Sequence, residues 1–330
     1  MGRGYPSPML THAAIIALSL MVQPAEKPTA QPKPESAAPA AAPGTEFLES
    51  PELTTLATGL KFAEGPQWRS DGKLVFCDMQ GDTIYAINPA DDKKARTPAD
   101  GLEIVRKGSE RAIGTAFDAK GLMVNCHFSG QVTRTDAEGK VTVLAKEIDG
   151  KQLNMPNDLT VRSDGTIYFG DFGKGRDEKH IATFGLYRID PMGKVTLESK
   201  DVTAPNGVAL SPDEKRLYVG LYSKAQLMVF DVASDGSLSG GKIFAELNDK
   251  EPKGRSAPDG VRTDMAGNVW TTGAGGIWVY DAAGKRLGTI AAPGASNFCF
   301  GGADFKTLFI TAGDKVMSAK LKTPALAGKK

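Results

Sequence analysis

The chain is poor in the residues that carry redox, disulfide and soft-metal chemistry. Three cysteines (Cys77, Cys126, Cys299) occur in 330 residues. No C-x-x-C pair is present, which excludes a disulfide scaffold and a zinc or dithiol module. Three histidines, His12, His127 and His180, are too few for a multi-histidine metal centre. Charge of one sign is also lacking: 40 basic residues against 39 acidic ones give a net charge of +1. A nucleic-acid partner would need a basic face to neutralise phosphates, so none is expected. There is no G-x-S-x-G, no H-E-x-x-H and no phosphate-loop motif, and Gly273-Ala274-Gly275-Gly276 has its third glycine misplaced for a dinucleotide fingerprint. The apolar run from Ala13 to Val22 is too short to cross a hydrocarbon core of ~30 Å.

Glycine and proline are abundant, at 38 and 20 residues, which favours many tight turns over long helices. Apolar residues at 41% suffice for a core. Residues 1–25 read as a secretory signal, with Arg3 ahead of the apolar run and cleavage near Ala25. No cysteine follows that run, so a lipoprotein anchor is not expected. Residues 26–45 form a Pro/Ala-rich linker; between 24 and 44 there are six prolines and seven alanines, too little bulky apolar surface to offset the entropy of ordering. The domain proper covers 46–325, with a short tail over 326–330. Leader and linker together imply an exported protein, periplasmic or secreted, with no membrane span after cleavage. At most one pair among the three cysteines can form a disulfide there.

From about Phe47 the sequence repeats. Glu64-Gly65-Pro66-Gln67-Trp68-Arg69-Ser70-Asp71-Gly72 is echoed by stretches starting at Asn157, Asn206 and Asp259, and more weakly by stretches at Ile113 and Asn297. A turn position lies eight residues after each start, and the starts are spaced by 49, 44, 49, 53 and 38 residues. Alternating strands follow each turn, such as Lys73–Asp78, Thr166–Asp171 and Arg216–Gly220. Repeats of ~40–50 residues with about four strands each are the mark of propeller blades. The expected fold is therefore all-β: a six-bladed β-propeller with about four antiparallel strands per blade. Residues 52–59, ahead of the first repeat, are placed to supply the strand that closes the ring.

Rotational repetition makes equivalent residues converge. With the first residue of each repeat at the channel mouth, Glu64, Ile113, Asn157, Asn206, Asp259 and Asn297 would meet there. Asn-Gly and Asp-Gly are common turn dipeptides, but independent turns have no reason to share one register. Two carboxylates and three carboxamides form a ring of oxygen acceptors whose formal charge a divalent cation would balance. Calcium suits such hard ligands best, with magnesium, manganese or zinc as alternatives. Ile113 cannot coordinate and leaves one side open to water and substrate; Asn297 lies in a degenerate repeat and is expected to contribute little. His127 follows a strand and is a candidate substrate contact, against a structural role. His180 lies in a charged stretch that reads as a solvated loop or a substrate-contacting lid.

These stretches resemble the gluconolactonase/senescence-marker-protein (regucalcin) family of six-bladed propeller lactonases. The likeness runs from about Thr54 to about Thr311. It rests on Glu64-Gly65-Pro66, Leu153-Asn154-Met155-Pro156-Asn157-Asp158, Ala204-Pro205-Asn206-Gly207, Ser211-Pro212-Asp213, Pro258-Asp259-Gly260-Val261 and Phe300-Gly301-Gly302. The resemblance implies that Glu64, Asn157, Asn206 and Asp259 hold one metal ion, the four that the register also selects. It implies that Asp259 serves as proton acceptor and donor in lactone hydrolysis, and that Asp158, beside Asn157, contacts substrate hydroxyls or the attacking water. Ile113-Gly114, Cys126-His127 and Gly170-Asp171-Phe172 depart from the family pattern and make the mouth less polar. The expected function is metal-dependent hydrolysis of a small-molecule lactone by a monomer. The alternatives are a non-catalytic ligand- or protein-binding propeller and a strictosidine-synthase-like or phosphotriester-hydrolysing propeller enzyme.

Overall fold

The structure, a computed structural model, describes residues 46–90, 94–173, 177–182, 184–247 and 257–326. The expected leader and linker, residues 1–45, and all of the expected tail except Leu326 lie outside the described residues. No helix among the described residues is long and apolar enough to cross a membrane.

Six four-stranded antiparallel sheets form a six-bladed β-propeller. The innermost strands, in blade order, are Ala63–Trp68, Ala112–Phe117, Pro156–Val161, Pro205–Leu210, Val261–Thr263 and Asn297–Gly301. Each is followed outward by strands rich in β-branched and aromatic residues, such as Leu74–Asp78 and Thr83–Ile87 in blade 1. Ring closure is as the sequence suggests. Thr54–Ala57 pairs antiparallel with Lys315–Lys320, so the N-terminal strand completes the last blade. Phe47 and Leu48 extend this clasp: Leu48 bridges Leu321, and the Phe47 ring packs against Trp270 at 5.2 Å.

The core is divided among the gaps between blades. Ile167, Phe169 and Tyr187 of blade 3 meet Val124, Cys126 and Val132 of blade 2, while Tyr218 and Leu227 of blade 4 meet Val269 and Trp278 of blade 5. Fully burying one such side chain contributes roughly 1.5–3 kcal/mol. That packing makes each blade a rigid support for the strand it presents to the channel. Cys77, Cys126 and Cys299 are all buried free thiols, so none of them is paired.

In blades 1 to 4 the innermost strand carries the same irregularity. Pairing with the second strand slips by one residue between Glu64 and Gln67, Ala112 and Thr115, Pro156 and Leu159, and Pro205 and Val208. A one-residue bulge kinks a strand and re-aims its side chains. It falls at the repeat's first residue each time, which is the structural basis of the shared register.

Candidate active site at the channel mouth

The six repeat-leading side chains are all buried: Glu64 is 1% exposed, Asn297 2%, Asn206 3%, Ile113 4%, Asn157 5% and Asp259 8%. The residue after each is glycine in four blades, Gly65, Gly114, Gly207 and Gly260. The backbone of the neighbouring blade explains this. A Cβ at Gly207 would lie 2.2 Å from the Asp259 carbonyl oxygen, and one at Gly114 would lie 2.3 Å from that of Asn157. These glycines let adjacent inner strands close on one another and draw the leading residues together. Blades 3 and 6 break the rule with Asp158 and Phe298, and Asp158 is fully buried and turned into the channel.

Direct side-chain contacts join two of the six leading residues, Glu64 and Asn297, to Asp158. Asn297 Nδ2 donates to Glu64 Oε2 at 3.2 Å and to Asp158 Oδ2 at 3.4 Å, linking blade 6 to its neighbour and to the blade opposite. Asp158 Oδ2 also accepts from Arg262 Nη1 at 3.1 Å, a buried ion pair between blades 3 and 5. Asp158 Oδ1 takes the Leu159 amide at 2.9 Å, and Glu64 Oε2 takes the Gly65 amide at 2.9 Å. The Asp259 amide donates to Thr272 Oγ1 at 2.8 Å, which pins the start of blade 5. Asn154 and Met155, just ahead of Asn157, donate their amides to the buried Asp171 carboxylate at 2.8 and 2.6 Å.

The electrostatics are those of an acidic pocket with too little internal compensation. Burial, reinforced by the nearby Asp259 and Asp158 carboxylates, pushes the Glu64 carboxyl up to about 8. Asn206 Oδ1 is buried without a hydrogen-bond partner among the described residues, a costly state for a carboxamide oxygen. Both observations suit a hard cation held by Glu64, Asp259, Asn206 and Asn157. Among the described residues no group of three His, Cys, Asp or Glu side chains is placed to hold a metal. The asparagine oxygens are therefore essential to any such site.

Other candidates lie elsewhere. His127 does not reach this ring. It is buried, its Nδ1 donates to the Ser109 carbonyl at 2.8 Å, and its Nε2 meets Thr133 Oγ1 at 2.8 Å. Burial pulls its pKa down to about 4, with Arg106 adding repulsion, so it is a neutral structural imidazole with no nitrogen left for substrate. His180 binds Asp177 Oδ1 at 2.7 Å beside a bridge to Gln152, between residues 174–176 and 183, which lie outside the described residues. Ile113 packs into the core between blades 2 and 3 with Cys126 and Leu153.

Arg262 is the site residue that sequence reasoning missed. Three positions after each repeat start stand Gln67, Ala116, Thr160, Ala209, Arg262 and Phe300, and all six line a cavity of about 160 Å³ in the channel behind the mouth. Only one of the six is charged, and that contrast was available in the repeat alignment.

A six-bladed propeller with an acidic, asparagine-rich channel mouth defines a class of propeller proteins built around one central site. Within that class the chain belongs to the SMP-30/Gluconolactonase/LRE-like family, whose model matches residues 62–314. It is 28% identical over 302 residues to a gluconolactonase of Zymomonas mobilis, an overlap covering 83% of this chain and 82% of that one. It is 28% identical over 271 residues to a pentonolactonase of Haloferax volcanii, covering 77% and 82%. Among solved structures, a gluconolactonase of Xanthomonas campestris superposes with a TM-score of 0.71 at 31% identity, covering 83% of this chain and 91% of the other.

Proposed function

We propose that the protein is an exported, metal-dependent lactone hydrolase. Family membership and the names of its relatives, gluconolactonase and pentonolactonase, support the reaction class. The observation that carries the reading is the burial of Glu64, Asn157, Asn206 and Asp259 at one register of the ring, with the Asn206 oxygen unpartnered.

Glu64, Asn157, Asn206 and Asp259 would hold one divalent cation, calcium by ligand type. When bound, such an ion supplies Lewis acidity that polarises an ester carbonyl. The remaining steps fall to the chain itself. Asp259 accepts the proton of the attacking water and returns it to the ring oxygen as the lactone C–O bond breaks, giving a hydroxy acid. Asp158, held by Arg262 and Asn297, is placed to accept a hydrogen bond from a substrate hydroxyl. Ile113 leaves no open side for substrate, contrary to the expectation from the sequence, because its side chain is buried in the core between blades 2 and 3. It gives the ring one position that neither coordinates nor hydrogen-bonds.

Turnover of gluconolactone and of a panel of alkyl lactones, with and without chelator, tests this reading. Hydrolysis should be lost on chelation, restored by calcium, and reduced at least ~100-fold by Asp259→Asn. Hydrolysis indifferent to both treatments would overturn the mechanism.

A further inference from the structure

Arg262 has no counterpart in the other five blades. Its guanidinium is largely withdrawn from water, which is expensive unless the charge is paired. Nε and Nη2 have no partner among the described residues, and Nη1 bonds only the Val261 carbonyl and Asp158 Oδ2. The charge thus serves Asp158. Among the described residues the mouth holds three buried carboxylates, Glu64, Asp158 and Asp259, and one cationic side chain bonded to them, Arg262. We propose that Arg262 is a built-in counter-charge: by neutralising Asp158 from the channel side, it leaves the ring a formal charge of −2 and so matches it to a single divalent cation. This rests on the metal reading above. Asn297, whose Nδ2 bridges the Glu64 and Asp158 carboxylates, fixes the spacing between the neutralised group and the ligand.

Without Arg262 the mouth would carry one further uncompensated carboxylate. An added unit charge a few ångströms away favours a trivalent over a divalent ion by about tenfold or more, even at an effective dielectric constant of ~20. Arg262 is accordingly a positioning and charge-setting residue rather than a catalytic one.

The test is titration calorimetry of the full chain with Ca²⁺ and, separately, with Tb³⁺, in wild type, Arg262→Lys, Arg262→Gln, Asp158→Asn and the double variant Arg262→Gln/Asp158→Asn. Arg262→Gln should raise the ratio of Tb³⁺ to Ca²⁺ affinity about tenfold or more. The double variant should return the ratio to the wild-type value, and Arg262→Lys should keep it there. If Arg262→Gln does not fold, Asp158→Asn alone still decides, because an unpaired Arg262 should lower the ratio below wild type. A ratio unmoved by Arg262→Gln, or by Asp158→Asn, or a shift that the second substitution fails to reverse, overturns the proposal while leaving the metal reading intact. A wild-type chain that binds neither ion overturns both.

Discussion

The carbonyl oxygen of Ile113 lies 2.0 Å from where a Cβ on Gly65 would stand, with Gly65 at φ +49°. Two blades touch there through backbone alone, and the contact holds Glu64 at the mouth. Gly65→Ala should therefore cost about 3 kcal/mol or more, because neither backbone can give way without disturbing its blade. Gly72, at φ +86° in the exposed turn of the same blade, has nothing within 4 Å of its virtual Cβ. Gly72→Ala should cost only about 1 kcal/mol. Urea denaturation of the two variants separates the packing effect from conformational preference.

Glu64 is expected to oppose folding when no cation is present. Burial and the Asp259 carboxylate raise its pKa to about 8, so at neutral pH the metal-free fold must either take up a proton or hold an unpaired charge. Glu64→Gln removes that burden. In chelator the variant should be more stable than wild type, by on the order of 2 kcal/mol. In calcium the order should reverse, because the ligand charge is lost. Thermal melts of both proteins with and without calcium give the four values needed. A variant less stable than wild type in both conditions would contradict this account.

The fold was legible because blade geometry writes itself into the sequence at a fixed interval. Six starts, six turns and a spare strand at Thr54–Ala57 sufficed for the propeller and its closure. The contact between Glu64 and Asn297 follows from the same repetition, whereas Asp158 is named only through the family resemblance. Two features were not legible. The Arg262–Asp158 pair joins positions 104 residues apart at different heights in the channel, and repeat alignment compares residues only at equal heights. His127 was misjudged for a different reason. Its partners are the Ser109 carbonyl and the Thr133 hydroxyl, contacts set by strand pairing within blade 2, and no motif announces a histidine satisfied in that way. Asn297, in its degenerate repeat, acts through its Nδ2, which donates to two of the three mouth carboxylates, while its Oδ1 accepts the Phe298 amide.

His127 should make the protein acid-sensitive in a defined window. Its folded pKa of about 4 lies below the unfolded value near 6.5, so the unfolded chain binds the extra proton first. The stability contributed by the neutral, hydrogen-bonded ring is fully present above about pH 6.5 and is lost as pH falls toward 4. By pH 4.5 the loss amounts to about 2.5 kcal/mol. His127→Asn should be the less stable protein at pH 7, and its deficit should shrink by about that amount at pH 4.5. Denaturant midpoints in chelator at the two pH values check this. Lactone hydrolysis at pH 7 by the folded variant should be little changed, since the ring does not reach the mouth.

Ile113 decides how polar the mouth is. Its side chain occupies the one repeat-leading position without a hydrogen-bonding group and is buried with Cys126 and Leu153 between blades 2 and 3. Replacing it by asparagine exchanges apolar packing for an amide that needs partners, at a cost of about 1–3 kcal/mol. The same change completes the ring of carboxamides and offers hydrogen bonds to a hydroxylated substrate. Ile113→Asn should therefore lower the melting temperature while raising kcat/KM for gluconolactone relative to an alkyl lactone of the same ring size, by about tenfold. The ratio of the two kcat/KM values is the quantity to measure, because it is insensitive to the fraction of folded protein. A lower melting temperature with an unchanged ratio would mean that position 113 supports the blade contact alone and does not face the substrate.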